Sequence, residues 1–360
     1  MLRPTRFGSY LVGQLPEGCR LCTLGAKLVL FVTGRCKRRC FYCPLSPERK
    51  GADTIYANER PVQYYGEIIE EANLMDALGT GMTGGDPLLV PDRTLRLLEM
   101  LKSTFGREHH VHLYTAMPVL STSLLSKLRR LGLDELRFHA SLDHRNVMRK
   151  AVDAGLNVGV EIPSIPGAGE EMKKIASMAD DLGAIFLNLN ELEMCETTYE
   201  AFEERGLRLV GNETMAVEGS IAEAIGVAEF CEDNTSLDVH ICPSGLKDSV
   251  QLKNRLGRMA ERVRKPYESI DEDNLLVKTV IEPRDVRPET EMTRLAEELR
   301  RKLDLDQEML EYNRERARLE TAPELADEIL KLMDSSEVEI ALTEEYPTWD
   351  RFETERRPIR

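Results

Sequence analysis

Cys36-Lys37-Arg38-Arg39-Cys40-Phe41-Tyr42-Cys43 follows directly on Lys27-Leu28-Val29-Leu30-Phe31-Val32-Thr33-Gly34. The second of these stretches is an apolar run that reads as a buried strand. The first sets three thiols at the spacing C-x3-C-x2-C. A loop this tight turns three sulfurs toward one soft metal centre. A cubane iron–sulfur cluster takes four ligands, so a cluster held here keeps one iron open to something other than the protein. The alternative for the same residues is a zinc knuckle with a fourth ligand elsewhere. Zinc ligands, however, normally come as two separated CxxC or CxxH pairs.

Outward from this loop, strand patterns at 27–33, 80–83, 110–115, 134–140, 156–162, 184–190 and 237–242 alternate with amphipathic helical segments. Pro61 reads as the first position of a helix that carries Ile68, Ile69, Ala72, Met75 and Leu78. Asp92 reads as the cap of a helix from Arg93 to Phe105, and Ser121 as the start of one through Leu124, Leu125, Leu128 and Leu131. Regular βα alternation predicts a parallel sheet with helices outside. Six or seven units are too few to close. The fold class is therefore α/β, a partial (β/α)6-type open barrel with a small C-terminal α/β appendage. Reactive residues of such barrels sit at the C-terminal strand ends. The cysteine loop follows the first strand and Thr83-Gly84-Gly85-Asp86-Pro87 the second, so both fall on one rim.

Three regions follow from the composition along the chain. Residues 1–25 are an irregular lead-in holding Cys19-Arg20-Leu21-Cys22, and 26–250 are the barrel core. Residues 251–360 hold the rest of a basic helix, which runs from Ser244 to Lys265 with only Asp248 and Glu261 as acids, and the appendage. In the appendage the pattern predicts a strand at 275–282, helices at 288–303 and 305–318, a helix capped by Thr321, a strand at 337–343, and a polar tail with Trp349. The chain has 360 residues and a net charge of −15, so its surface as a whole is no nucleic-acid footprint. The basic helix is either a local site for a polyanion or a solvated, salt-bridged face. Met1 to Gly13 lacks a signal-peptide core and no run is long enough to span a membrane, so the expected compartment is a reducing cytoplasm. There, eight cysteines are expected to bind metal more often than to pair.

The cysteine spacing with Tyr42 before the last thiol, joined to Gly84-Gly85-Asp86-Pro87 after the second strand, resembles the radical S-adenosylmethionine (SAM) superfamily over residues 26–250. Within it the chain is similar to uncharacterised archaeal proteins related to pyruvate formate-lyase activating enzymes. The resemblance implies that Cys36, Cys40 and Cys43 hold three irons of a 4Fe–4S cluster whose fourth iron binds SAM. It implies an enzyme that takes an electron from a donor such as ferredoxin or flavodoxin, splits SAM to a 5′-deoxyadenosyl radical, and abstracts hydrogen. The substrate would be a protein residue, a tRNA base or a cofactor precursor. Gly84, Gly85 and Asp86 would receive the methionine ammonium, and Tyr42 would cover the cluster and help to hold adenine. Ser141, Glu161 and Asn190 would contact ribose, carboxylate or substrate.

Cys242, at the end of the last strand, is a candidate catalytic thiol, a buried structural one, or part of a second metal site with Cys19, Cys22 and Cys231. That second site requires the lead-in to fold back, because Cys22 precedes the first strand. His112 and His139 read as core histidines. The competing function is a non-enzymatic iron–sulfur or zinc protein for electron transfer or scaffolding, against which the Gly84-Gly85-Asp86 edge argues. No Asp-x-His-x-x-Gly stretch precedes the cysteine loop, which argues against cobalamin-dependent methyl transfer.

Overall fold

The computed structural model describes residues 1–211, 214–334 and 336–359, without the side chain of Asp248. It contains two compact units, 1–73 with 77–254 and 74–76 with 255–360.

The first unit opens with β1 (Arg3–Pro4), β2 (Tyr10–Val12) and α1 (Glu17–Thr23). Strand β3 (Lys27–Thr33) is followed by the short pair β4 (Tyr56–Ala57) and β5 (Arg60–Pro61). Then come α2 (Gly66–Leu74), β6 (Gly79–Gly84), α3 (Pro91–Phe105), β7 (His110–Thr115) and α4 (Thr122–Arg130). Next are β8 (Glu135–Phe138), α5 (Arg145–Asp153), β9 (Val158–Ser164), α6 (Gly169–Leu182) and β10 (Phe186–Glu191). The series ends with α7 (Tyr199–Glu203), α8 (Ser220–Asn234) and β11 (Asp238–Cys242). Strands β3, β6, β7, β8, β9, β10 and β11 pair in chain order and all in parallel. Strand β3 does not pair with β11, so the barrel stays open, as the count of βα units predicts.

Helix α3 shows how the local sequence builds the outer layer. Leu97, Leu98 and Leu101 recur on one face and are fully buried. Pro91 occupies the first turn, where a missing N–H is harmless. Asp92 is thus inside the first turn rather than the cap, and its charge still suits a helix N-terminus. Ser121 caps α4 as expected, its Oγ accepting from the Leu124 N–H at 3.2 Å. Pro61 does not start a helix. It pairs in β5, and the chain turns afterwards because the Glu67 carboxylate accepts from the N–H groups of Gln63 and Tyr64 at 2.6 and 3.1 Å.

The lead-in is ordered and folds back. Strand β2 runs antiparallel to β11, with Tyr10 beside Ile241 and Val12 beside Val239. The chain therefore descends to the N-terminal strand ends. There α1 closes the lumen, with the Gly18 N–H donating to Glu135 Oε1 at 3.2 Å. A side chain at Gly18 would stand 2.4 Å from His112 Nδ1, so only glycine admits the helix this closely.

The basic segment is α9 (Ser244–Leu246), a π-helical stretch over 247–252, and α10 (Lys253–Val263). Lys247 pairs with Glu193, Arg258 with Asp76 and Lys265 with Glu311, which favours the salt-bridged reading of this helix.

The second unit contains β12 (Ser269–Ile270), β13 (Leu276–Pro283), α11 (Glu289–Leu303), β14 (Leu310–Asn313), β15 (Arg318–Thr321), α12 (Ala326–Leu332), β16 (Val338–Glu345) and β17 (Glu353–Pro358). The antiparallel order is β14-β15-β13-β16-β17, with β12 on β13. Ile281, Leu319 and Ile340 pack with Met292, Ala296 and Leu299 of α11. Lys278, 3% exposed, meets Glu320 at 3.0 Å and Glu345 at 2.9 Å. The expected helix at 305–318 is instead a hairpin. Leu310 and Tyr312 alternate across from Thr321 and Leu319, and Ala317 takes a left-handed φ of 50° in the turn. Thr321 ends β15 rather than capping a helix, its hydroxyl donating to the Met309 carbonyl at 2.6 Å. The tail forms β17, where Arg356 pairs with Glu339 and Arg357 with Glu344 of β16. Among the described residues no helix is long and apolar enough to cross a membrane.

Candidate active site

Cys36, Cys40 and Cys43 line one cavity of about 680 Å³ in the barrel lumen, together with Tyr42, Gly84 and Gly85. The loop that carries them is pinned at its base, with the Gly34 N–H on the Ala52 carbonyl and the Gly51 N–H on the Gly34 carbonyl, both 2.8 Å. Within it the Arg38 N–H points at Cys36 Sγ at 3.4 Å, and the Cys43 N–H donates to the Cys40 carbonyl at 3.2 Å. Burial pushes the Cys36 thiol up; the Arg38 N–H opposes this, and Asp86, Cys40 and Cys43 add to it. The three sulfurs are thus electrostatic neighbours on one wall. A donor set of three soft sulfurs facing a common cavity fits an iron–sulfur cluster, which draws off the thiol protons on binding.

Gly84, the last residue of β6, and Gly85 after it are packed onto that loop. The Gly85 N–H donates to the Thr33 carbonyl at 2.7 Å. A Cβ on Gly84, whose φ is 142°, would stand 2.3 Å from Thr33 O, and one on Gly85 would stand 2.3 Å from Arg35 O. Replacing Gly85 by Ala should force the β6 shoulder off the cysteine loop. We expect SAM affinity, measured by equilibrium dialysis on cluster-loaded protein, to fall by about tenfold to a hundredfold, the range seen for supports of a metal site. Unchanged affinity would show that the shoulder does not shape the SAM site.

Asp86 departs from its expected role. Its carboxylate is buried and is not part of the cavity wall. Oδ2 accepts from the Ala116 N–H at 2.7 Å, Oδ1 accepts from the Leu88 N–H at 3.0 Å, and the Thr115 hydroxyl donates at 3.1 Å. It ties β6 to β7 and leaves the Gly84 and Gly85 backbone to face a ligand. Ser141 is also absent from the cavity wall. It caps the turn at 142–144, with His144 bonding back to its N–H at 3.2 Å, and it accepts from Arg38 at 2.9 Å. Both residues carry polar groups that local backbone can use first, and here it does.

Tyr42, Glu161 and Asn190 do line the cavity. The Tyr42 hydroxyl lies 2.7 Å from His139 Nε2. His139, expected in the core, is on the wall as well. Burial, and then the Arg38 charge, lower it to about 4, so the ring that shares a hydrogen bond with the tyrosine is neutral. Glu161 accepts from Arg137 at 2.8 Å and from Asn190 at 3.0 Å. Burial would raise its carboxyl, but Arg137 and Asn190 hold it below the ordinary value.

Arg137, 1% exposed, is the hub beneath the cavity. It donates to Glu135 at 2.5 and 2.9 Å, to Glu161, and to the Tyr114 hydroxyl at 3.4 Å. Cys19 sits against it, 3.4 Å from its Nη1, and burial raises that thiol to about 11. Arg137 is among the polar residues that the strand ends point at the rim; its pairing with Glu135 is what that reading leaves out. The signal was the charge pair placed at i and i+2 of one apolar strand, which puts both on one face.

The four cysteines of the expected second metal site do not assemble. Cys231 is on helix α8, where Thr235 and Asp180 act on its thiol, whereas Cys19 is inside the lumen beside Asn188. Among the described residues no three His, Cys, Asp or Glu side chains are grouped to hold a single metal ion. Cys242 is buried beside Asn190 in register and does not reach the cavity wall; burial keeps it a thiol.

A model described as "Radical SAM superfamily" matches residues 30–146, and one described as "Domain of unknown function (DUF8061)" matches residues 274–359. A Methanocaldococcus jannaschii protein named "Putative glycyl-radical enzyme activating enzyme" is 37% identical over 96% of this chain and 93% of its own. Among solved structures, the tryptophan-bound radical SAM methyltransferase TsrM of Kitasatospora setae aligns with 13% identity over 70% of this chain, TM-score 0.38. Streptococcus suis SuiB bound to S-adenosylmethionine aligns with 10% identity over 61% of this chain, TM-score 0.43. This chain spans 55% of the first and 50% of the second.

Proposed function

This chain belongs to the radical SAM superfamily, and we propose that its barrel lumen is where a substrate C–H bond meets the radical that the family generates. The observation that carries this reading is the single cavity that joins the three thiols to the polar lumen floor. Cys36, Cys40 and Cys43 would hold the cluster, and the Gly84 and Gly85 backbone would receive the methionine end of SAM. When bound, such a cluster would supply the one electron for reductive cleavage of SAM, the chemistry that would end in removal of a hydrogen atom from the substrate and release of methionine and 5′-deoxyadenosine. The chain's own part is orientation and exclusion. Tyr42 and His139 brace each other beside the cysteines, Asp86 locks the glycine shoulder, and α1 seals the far end of the lumen. We place the reaction in residues 26–250, with residues 251–360 as an appendage. The electron would come from a small one-electron donor such as ferredoxin or flavodoxin in a reducing cytoplasm.

The test is anaerobic reconstitution with iron and sulfide, followed by dithionite and SAM. We expect a brown protein that releases 5′-deoxyadenosine and methionine in equal amounts. A protein that loads iron but leaves SAM intact would instead support the electron-carrier alternative. The name of the 37% identical relative favours a second reading, in which the hydrogen comes from a glycine of a partner enzyme. That reading predicts a protein-borne organic radical in the partner by electron paramagnetic resonance.

A further inference from the structure

We propose that the lumen floor is a carboxylate-binding subsite, built on Lys27 with Tyr114, and that the substrate is a small organic acid. This rests on the function proposed above and names the class of substrate for it.

Lys27 starts β3, so its place in the sequence is at the closed end of the barrel, far from the cysteine loop that ends the same strand. Its side chain nevertheless lines the same cavity as the three thiols. The reason is the neighbouring strand. In register with Lys27, Val29 and Phe31 stand Gly79, Gly81 and Thr83 of β6. Two of those three positions have no side chain; Leu21 and His110 pack onto Gly79 and His112 onto Gly81, and the bare Gly81 backbone lines the cavity together with Lys27 and Val29. Val29 is 40% exposed although it sits in a barrel strand, which gives the passage one apolar wall. A lumen of this fold is ordinarily packed with side chains.

The charges on the floor are committed, except for one set of donors. Arg137 spends its guanidinium on Glu135 and Glu161, and Glu161 spends both oxygens on Arg137 and Asn190. Lys27 helps to hold Glu161 ionised from a distance. Yet its ammonium has neither an ion pair nor a hydrogen bond among the described residues, so three N–H donors face the cavity without an acceptor. Tyr114 also lines the cavity. Its oxygen accepts from Arg137 at 3.4 Å, which leaves its O–H to donate. A lone ammonium with a hydroxyl donor matches a single carboxylate. A phosphate dianion calls for more cations than this floor has free, since Arg137 is already matched. The ligand's apolar part would pass between Val29 and Gly81 and so carry its C–H bonds toward the sulfur loop.

The probe is succinate, titrated calorimetrically into the cluster-loaded, full-length protein with SAM present. We expect saturable binding to the wild type. Binding should be at least tenfold weaker in Lys27→Met and severalfold weaker in Tyr114→Phe, with Lys27→Arg within about threefold of wild type. Melting curves of each variant separate lost binding from lost folding, and Lys27→Arg keeps the test decisive if Lys27→Met fails to fold. Equal succinate binding by Lys27→Met and wild type overturns the subsite, as does the absence of saturable binding to wild type. Tighter binding of inorganic phosphate than of succinate overturns the carboxylate assignment. The proposed function fails separately, if the wild type binds succinate but releases no 5′-deoxyadenosine.

Discussion

Replacing Cys36, Cys40 and Cys43 together by alanine should abolish the iron content of reconstituted protein and lower 5′-deoxyadenosine release by at least about a thousandfold, because the electron source is removed rather than weakened. The far-ultraviolet circular dichroism should be unchanged. The loop is pinned through the backbone of Gly34, Gly51 and Ala52, and none of those bonds uses a thiol. Each single substitution should also fail, since two thiolates cannot hold a cubane that already leaves one iron to its ligand. A triple variant that still binds a full complement of iron would place the cluster elsewhere and remove the basis of the functional reading.

Arg137→Met should be the most damaging substitution for stability in the barrel, costing about 3–5 kcal/mol near neutral pH, because two buried carboxylates lose their counter-ion together. Burial would raise the Glu135 carboxyl, but Arg137 and His110 bring it down to about 2. Its folded pKa therefore lies below the unfolded one. The stabilisation is complete above the ordinary carboxylate range and disappears as pH falls from there toward about 2. In the variant that depression is lost and burial dominates, so the carboxyls take up protons at higher pH and the fold tolerates them as neutral acids. The stability gap between wild type and variant should hence be largest at pH 7 and narrow on acidification. Urea titrations across the acid range will show this. A gap that does not change with pH would mean that Arg137 acts by packing alone.

Legibility varied with the range of the interaction involved. Helix α4 and its Ser121 cap were readable, since the cap and the apolar stripe through Leu131 lie on one short run of consecutive residues. The hairpin of β14 and β15 was not. Its charged residues satisfy a helical pattern as well as a strand one, and pairing with β13 decides between them. At the site, Tyr42, Glu161 and Asn190 lie on the cavity wall as the strand ends indicate, whereas Asp86 and Ser141 are turned into local hydrogen bonds. A short polar side chain beside a turn can serve either a ligand or the backbone, and sequence does not rank the two.

The sequence by itself determined the barrel class and the three-thiol loop, because strand and helix periods and a C-x3-C-x2-C spacing are properties of a few consecutive residues. Only the tertiary structure decided that α1 seals the lumen, that Arg137 anchors its floor, and that Lys27 looks up into it. Gly18 and Glu135 are 117 positions apart, and Arg38 and His139 101, yet they bond. Contacts across such separations arise from how the strands wrap, and no local pattern carries them.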